Sequence, residues 1–158
     1  MSDLRWWRHV AWHLGAVDRT DRPRLSEVWE AAVRATHHFL SEEDIRFYRR
    51  MLNERYFDLV RLTCLRDDEG RLQGFSGTAE DRLEMLFVTP EVHGHGFGKA
   101  LLRHAIKTQG VRLVDVNEQN PKALGFYLSQ GFEQIGRSPL DGANRPFPLL
   151  HLRLRAAH

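Results

Sequence analysis

Several features that define other classes of protein are scarce in this sequence. Cys64 is the only cysteine among 158 residues, so neither an intrachain disulfide nor a cysteine zinc cluster can form. The apolar runs are as short as Met85 to Val88, whereas a helix that spans a bilayer needs ~20 apolar residues. The net charge of +2 is too small to indicate nucleic-acid binding by itself. We therefore expect a cytoplasmic protein with no metal site, no membrane partner and no nucleic-acid partner.

The composition is that of an ordinary globular protein. Hydrophobic residues make up 42% of the chain and charged residues 28%, a balance that supports a packed core. No repeat, low-complexity tract or flexible linker divides the sequence. We expect a single domain over residues 1–158, with its core at about 20–155.

Hydrophobic spacing predicts alternating helices and strands. Leu25, Val28 and Trp29 recur at helical intervals, and Ser41 with Asp44 resembles a capping box. The predicted helices are Arg24 to Phe39, Glu42 to about Arg55, Gly96 to Gln109, and Pro121 to Gln130. The predicted strands lie near Arg8 to Leu14, then at Asp58 to Arg66, Leu72 to Thr78, Arg82 to Val88, Val111 to Val116, Phe132 to Arg137, and Leu149 to Arg155. This order indicates an α/β fold with a mixed sheet, antiparallel at its edges and with a crossover in its middle.

A glycine-rich loop between a strand and an amphipathic helix is the most informative segment. Glycines let the backbone approach a ligand closely, and the free N–H groups of a helix N-terminus favour an anion. Cations in the first turns of a helix oppose its dipole unless an anion is bound there. The residues that we expect to hold such an anion are His93, Gly94, His95, Gly96, Gly98 and Lys99.

Three kinds of anion-binding loop compete for this segment. A P-loop is excluded because Gly94 and Gly98 are one residue too close and Ala100 replaces the hydroxyl. A dinucleotide fingerprint stays open, although Lys99 occupies its third glycine position. The pyrophosphate loop of acetyl-coenzyme A-dependent transferases, Q/R-x-x-G-x-G/A, fits with His93 in place of Gln or Arg.

Two spaced motifs in order resemble the GNAT N-acetyltransferase superfamily, over about Leu25 to Leu154. The first runs from Leu86-Phe87-Val88-x-Pro90 through the glycine loop to Leu102. The second is N-x-x-N-x-x-A-x-x-F-Y-x-x-x-G-F, from Asn117 to Phe132. Shorter segments are similar to a small bacterial branch of single-domain acetyltransferases, the YjaB-like proteins: Ala35 to Ser41, Gly136 to Ser138, and Pro148 to Leu150.

The resemblance implies a fold and a cosubstrate. The sheet is expected to be mostly antiparallel and to splay between its fourth and fifth strands, with the pantetheine arm of acetyl-coenzyme A in the gap. Backbone groups of Leu86, Phe87 and Val88 would bind that arm and stabilise the oxyanion. Asn117 and Asn120 would bind the same arm, and Asn120 also fits a helix N-cap.

Two residues have the chemistry that acetyl transfer to an amine needs. Glu84 is the candidate base, since strand alternation places it on the face of Leu86 and Val88. Tyr127 lies two helical turns after Asn120 and is the candidate proton donor to the departing sulfur. Each residue also has a purely structural interpretation, Glu84 as a solvated strand residue and Tyr127 as a core tyrosine.

The resemblance implies that the acceptor is a primary amine of a small molecule or peptide, and the sequence marks its pocket only weakly. Trp29, His37, His38 and Tyr48 lie in or near the junction of the first two helices, which borders the acceptor in this family. Because Cys64 lies away from the motifs, we expect direct attack in a ternary complex without an acyl-cysteine. A non-catalytic acyl-coenzyme A-binding module and a nucleotide-binding oxidoreductase remain as alternatives, and a homodimer is possible through the late strands.

Overall fold

A computed structural model describes residues 12–156 of the chain. The α-helices in this range are α1 Arg22–Thr36, α2 Glu42–Glu54, α3 Phe97–Gln109 and α4 Pro121–Ser129. The strands are β1 Trp12–Ala16, β2 Arg61–Asp67, β3 Leu72–Ala79, β4 Arg82–Val88, β5 Leu113–Asn117, β6 Phe132–Ser138 and β7 Leu149–Leu154. The strand predicted near Arg8 to Leu14 lies partly outside the described residues. No helix between residues 12 and 156 is long and apolar enough to cross a membrane.

The described strands form one mixed sheet in the order β1-β2-β3-β4-β5-β7-β6. Neighbouring strands are antiparallel except β4 and β5, which are parallel. β4 and β5 pair only at Arg82 with Leu113 and at Leu83 with Val114, and then separate. The predicted α/β fold, with a sheet that splays between its fourth and fifth strands, is confirmed.

Local hydrogen bonds determine where the first two helices end and begin. α1 ends at Thr36 instead of the predicted Phe39, because His37 leaves helical geometry with φ −107° and ψ 63°. The predicted capping box opens α2: Ser41 Oγ accepts the Asp44 N–H at 3.0 Å, and Asp44 Oδ2 accepts the Ser41 N–H at 2.9 Å.

Two strands start later than their hydrophobic patterns predict. β2 begins at Arg61 rather than Asp58, because Tyr56–Leu59 forms a short 3-10 helix. β5 begins at Leu113 rather than Val111, because the N–H groups of Arg112 and Leu113 both donate to the Asp81 carbonyl. Val111 is nevertheless fully buried, which is why its apolar side chain extended the predicted strand.

Hydrophobic side chains pack on both faces of the sheet. α1 and α2 cover one face, around the buried Trp29, Phe57 and Phe75. α3 and α4 cover the other face, where Leu102 and Phe132 are buried. β4 contributes to both clusters, with Met85 in the first and Leu83 in the second.

Candidate active site

A cavity of about 680 Å³ lies where β4 and β5 separate. Its lining brings together Trp29, His37, Tyr48, Glu84, Asn120 and Tyr127, which are far apart in the sequence. The candidate proton donor, the candidate base and three of the candidate acceptor-binding residues therefore line the same cavity.

The backbone of β4 presents alternate residues to the gap. The Thr89 N–H donates to the Gln73 carbonyl at 2.9 Å, and alternate residues of an antiparallel strand bond to the same neighbour. By this register, the N–H and C=O groups of Phe87 point toward its β3 partner Phe75. Leu86 and Val88 direct their N–H and C=O groups toward the gap, where the Val88 carbonyl accepts a hydrogen bond from His93. Phe87 is predicted to bind the pantetheine arm, but the register assigns its backbone groups to the pairing with Phe75.

The N-terminus of α3 offers unused N–H groups beside this gap. Gly94 and Gly96 have φ values of 87° and 81°, a conformation that strains residues with a side chain. Within residues 12–156, the N–H groups of Gly96, Phe97, Gly98 and Lys99 make no hydrogen bond. Such a cluster at the positive end of a helix dipole suits a pyrophosphate.

The side chains of both histidines in the loop contact other residues of this chain. His93 is exposed, and its Nε2 lies 3.2 Å from the Val88 carbonyl, to which it must donate. The His95 ring packs edge-on against Phe97, with ring centroids 5.7 Å apart. A pyrophosphate contact from His93 would compete with its bond to Val88, whereas Lys99 is exposed at the first turn of α3.

The two asparagines flank the β5 end of the cavity. Asn120 is buried, and its Oδ1 accepts the Ala123 N–H at 3.2 Å, which confirms its role as the N-cap of α4. The Asn117 carbonyl accepts the Asn120 N–H at 3.0 Å. Both side chains line the cavity, and the capping bond leaves the Asn120 amide N–H groups to donate elsewhere.

Tyr127 lies at the α4 wall of the cavity. Its side chain is only 8% exposed, and its ring contacts Phe132 edge-on at 5.7 Å between centroids. Burial raises the pKa of the phenol above its ordinary value, so the hydroxyl keeps its proton. In the described part of the chain this hydroxyl has no hydrogen-bond partner, and it can donate to a bound group.

Glu84 occupies an irregular position in β4. The register with β3 places Met85 opposite Gly77 but Leu83 opposite Thr78, so Glu84 is the extra residue of a β-bulge. Leu83 therefore packs with the α3 and α4 cluster and Met85 with the α1 and α2 cluster. Strict alternation fails at this bulge, but Glu84 still lines the cavity.

The surroundings of Glu84 favour a proton-accepting role. Partial burial raises the pKa of its carboxyl above the ordinary value, Arg82 opposes that rise, and Asp115 adds to it. Arg82 Nε lies 3.8 Å from Glu84 Oε1. The side chain is 43% exposed, so it can exchange its proton with water.

The α1–α2 junction delivers one histidine to the cavity. The Thr36 hydroxyl donates to the Ala32 carbonyl at 2.8 Å, so His37 Nδ1, 2.7 Å away, must donate to Thr36 Oγ1. His37 Nε2 is then an acceptor, and burial lowers the pKa of the ring to about 4. Trp29 and Tyr48 also line the cavity, whereas His38 is exposed and does not.

The loop between β6 and β7 closes the acceptor side, which the sequence indicated only as a turn-rich stretch. Asp141 and Phe147 of this loop line the cavity. The Tyr48 hydroxyl donates to Asp141, and the Phe147 ring packs at 5.6 Å from Phe39. No local motif marks these residues, because their role depends on contacts with helices about 100 residues away in the chain.

Arg145 fastens this loop to α2. Its guanidinium donates to Asp44 Oδ1 at 2.9 Å and lies 3.7 Å from the centre of the Phe47 ring. The Arg145 N–H also donates to Asp141 Oδ1. The ion pair and the ring contact together fix the position of Asp141 and Phe147 in the cavity wall.

The splayed sheet and the open N-terminus of α3 define an acyl-coenzyme A N-acyltransferase. The GNAT acetyltransferase domain model matches residues 60–134. The chain is 37% identical over 132 residues to the peptidyl-lysine N-acetyltransferase YjaB of Salmonella typhimurium, with 82% of this chain and 88% of that protein covered. It is 27% identical over 129 residues to the peptidyl-lysine N-acetyltransferase YiaC of Escherichia coli, with 81% and 88% covered.

Solved structures agree with these relatives. The solution structure of apo YjaB from Escherichia coli has a TM-score of 0.81 and 30% identity, covering 93% of this chain and 99% of that one. An N-acetyltransferase of Thermoplasma acidophilum in complex with coenzyme A has a TM-score of 0.70 and 23% identity, covering 92% and 99%. The chain belongs to the GNAT family, in its YjaB-like branch, and is an N-acetyltransferase. The alternative of a nucleotide-binding oxidoreductase is thereby excluded.

Proposed function

We propose that this protein transfers the acetyl group of acetyl-coenzyme A to lysine side chains of peptides or proteins, by direct attack in a ternary complex. The observation that carries the proposal is the cavity at the β4–β5 gap. Its lining combines Leu86, Asn117 and Asn120, on the side expected to hold the cosubstrate, with acidic and aromatic side chains on the acceptor side.

The donor side fits acetyl-coenzyme A. The N–H groups of Gly96, Phe97, Gly98 and Lys99 would bind the pyrophosphate. β4 and β5 no longer pair beyond Leu83, so an extended arm can bond to Leu86 and to the Val88 N–H as a strand does. When bound, the cosubstrate supplies the activated acyl group.

The acceptor side fits a cation on a flexible stem. The cavity lining contains the carboxylates of Glu84, Asp115 and Asp141, and no arginine or lysine of the described chain. The aromatic rings of Phe39 and Phe147 provide apolar walls for a methylene chain. A lysine side chain matches both features, and the curated relatives are named for peptidyl-lysine substrates.

Glu84 and Tyr127 divide the proton transfers of the reaction. Glu84 accepts a proton from the lysine ammonium, directly or through water, which frees the nitrogen lone pair. As the new C–N bond forms and the C–S bond breaks, the nitrogen loses its second proton to water, and Tyr127 donates its proton to the departing sulfur. Glu84 is partly exposed and then releases its proton to water. The Tyr127 phenolate takes up a proton from water through the cavity that both residues line.

Direct transfer is also supported by the position of the only thiol. Cys64 is fully buried in the core, and burial raises the pKa of its thiol. A protonated and inaccessible thiol is a poor nucleophile, so an acyl-cysteine intermediate is disfavoured.

Acetylation of a lysine peptide provides the test. Acetyl-coenzyme A is incubated with a peptide containing one internal lysine and a blocked N-terminus, and with a matched peptide in which the lysine is replaced by norleucine and the N-terminus is free. We expect acetyl transfer only to the first peptide, measured by mass spectrometry and by coenzyme A release. Transfer only to the free N-terminus would contradict the lysine assignment, and binding of coenzyme A without transfer to any amine would indicate the non-catalytic module.

A further inference from the structure

A chain of polar contacts crosses four neighbouring strands on the sheet face opposite α3 and α4. Arg82 on β4 contacts Asp115 on β5, with Nη1 and Oδ1 3.0 Å apart. His151 on β7 donates from Nδ1 to the same Asp115 oxygen at 2.6 Å. Ser138 on β6 lies 2.6 Å from His151 Nε2. We name this chain of side chains, from Arg82 to Ser138, the cross-strand network.

The sheet register builds this network. Asp115 and His151 are direct partners in the β5–β7 ladder. Arg82 of β4 pairs with Leu113, which lies two residues before Asp115 on the same face of β5. The buried neighbours of Asp115, Val114 and Val116, point to the α3 and α4 cluster, so Asp115 points the other way. Asp115 reaches the cavity, whereas His151 and Ser138 do not line it.

Arg82 is shared unequally between two carboxylates. Its guanidinium lies 3.0 Å from Asp115 but 3.8 Å from Glu84. A guanidinium two residues from a carboxylate on one strand can form a close two-bond pair with it. The contacts with Asp115 hold Arg82 away from that arrangement.

We propose that Asp115, anchored by His151 and Ser138, positions Arg82 so that Glu84 stays free to take the acceptor proton. Asp115 is a positioning residue in this scheme, and the proposal rests on the proposed role of Glu84. Without Asp115, the Arg82 guanidinium forms an ion pair with Glu84. This ion pair makes Glu84 a weaker base.

The same contacts have the order of a serine hydrolase triad, with Ser138 bonded to His151 and His151 bonded to Asp115. The end of the network that reaches the cavity is Asp115 and not the serine hydroxyl. The geometry therefore favours electrostatic positioning of Glu84 over nucleophilic chemistry at Ser138.

The test compares Asp115→Asn with the double variant Asp115→Asn with Arg82→Gln. We expect kcat of Asp115→Asn to fall ~10-fold, and the double variant to recover to within ~3-fold of wild type, because no cation remains to trap Glu84. Glu118→Gln is the matched control, since it breaks a carboxylate–arginine pair with Arg137 outside the cavity. Its activity should equal that of wild type.

The pH profile adds a readout that a purely structural role would not change. Arg82, on the same strand, lies 3.8 Å from Glu84. The titratable residues that line the cavity together with Glu84 are Asp115, Asp141, His37, Tyr48, Tyr56 and Tyr127. Loss of Asp115 and approach of Arg82 both stabilise the charged carboxylate, so the acidic limb of kcat should move to lower pH in Asp115→Asn. In the double variant it should move back toward higher pH.

Three outcomes would overturn the proposal. Equal impairment of the single and double variants with a raised acceptor KM would show that Asp115 acts through acceptor binding alone and does not position Arg82. An acetyl adduct in the intact mass of the wild type, absent from Ser138→Ala, would assign the network to nucleophilic chemistry. Full activity in Asp115→Asn would exclude any role. Glu84→Gln tests the base separately: if it is inactive while Asp115→Asn is not, Glu84 remains the base and only the positioning proposal fails.

Discussion

At the scale of single residues, Tyr127 gives the clearest test of whether a side chain acts in catalysis or only packs in the core. Its buried phenol keeps its proton and has no partner among residues 12–156. Tyr127→Phe removes only the hydroxyl and leaves the ring against Phe132. We expect kcat to fall by ~10²-fold with a wild-type melting temperature, since general acids contribute at least that much. Steady-state kinetics and a thermal melt measure both, and normal turnover in the folded variant would reduce Tyr127 to a packing residue.

A second prediction at this scale concerns acid sensitivity. Burial lowers the pKa of His37 from 6.5 to about 4, so the unfolded chain binds a proton between these values that the folded chain excludes. The contribution of His37 to the free energy of unfolding is therefore fully present above pH 6.5. It decreases as the pH drops, and the loss is ~2 kcal/mol near pH 5.

His37→Gln should remove this pH-dependent part of the unfolding free energy. Urea unfolding at pH 7 and near pH 5 measures it, and His38→Gln is the matched control because His38 is an exposed neighbour. An unchanged pH dependence in His37→Gln would show that other groups determine the acid sensitivity.

At the scale of elements, the turn into α3 is expected to bind coenzyme A. Gly96 and Gly110 stand at opposite ends of α3 with φ values of 81° and 73°, and an added Cβ meets no atom within 4 Å at either. Gly96→Val and Gly110→Val therefore bear a similar strain of ~1–2 kcal/mol. Only Gly96→Val places a side chain where the pyrophosphate approaches.

Calorimetric titration with coenzyme A tests this pair of variants. We expect Gly96→Val to weaken binding by ~10-fold or more, since a hydrogen bond to a charged group contributes ~1.5–3 kcal/mol. Gly110→Val should bind like the wild type. Equal affinities in the two folded variants would place the pyrophosphate elsewhere.

The loop between β6 and β7 is the corresponding element on the acceptor side. Arg145→Ala removes both the Asp44 ion pair and the contact with the Phe47 ring. We expect the acceptor KM to rise several-fold while coenzyme A affinity stays unchanged, because only the acceptor wall loosens. Arg137→Ala, which breaks the exposed pair with Glu118, serves as the control. An unchanged KM in Arg145→Ala would mean that this loop does not bind the acceptor.

At the scale of the whole molecule, local signals predicted most of the sheet and indicated the proposed donor side. The glycine loop, the N-cap at Asn120 and the placement of Tyr127 depend on residues close in sequence, where spacing alone is informative. The acceptor side depends on distant contacts, such as Tyr48 with Asp141, 93 residues apart. The bulge at Glu84 and the pairing of Asp115 with His151 follow from sheet register, which hydrophobic spacing does not determine. The same register pairs Phe87 with Phe75, which its place in the motif does not reveal.

The most direct test of the account is an initial-rate grid in which acetyl-coenzyme A and the lysine peptide are varied together. Direct transfer in the cavity requires both substrates to be bound at once. Double-reciprocal plots should therefore give intersecting lines, with one coenzyme A released per lysine acetylated. Parallel lines, with an acetylated enzyme that forms in the absence of peptide, would contradict direct transfer between the two sides of this cavity.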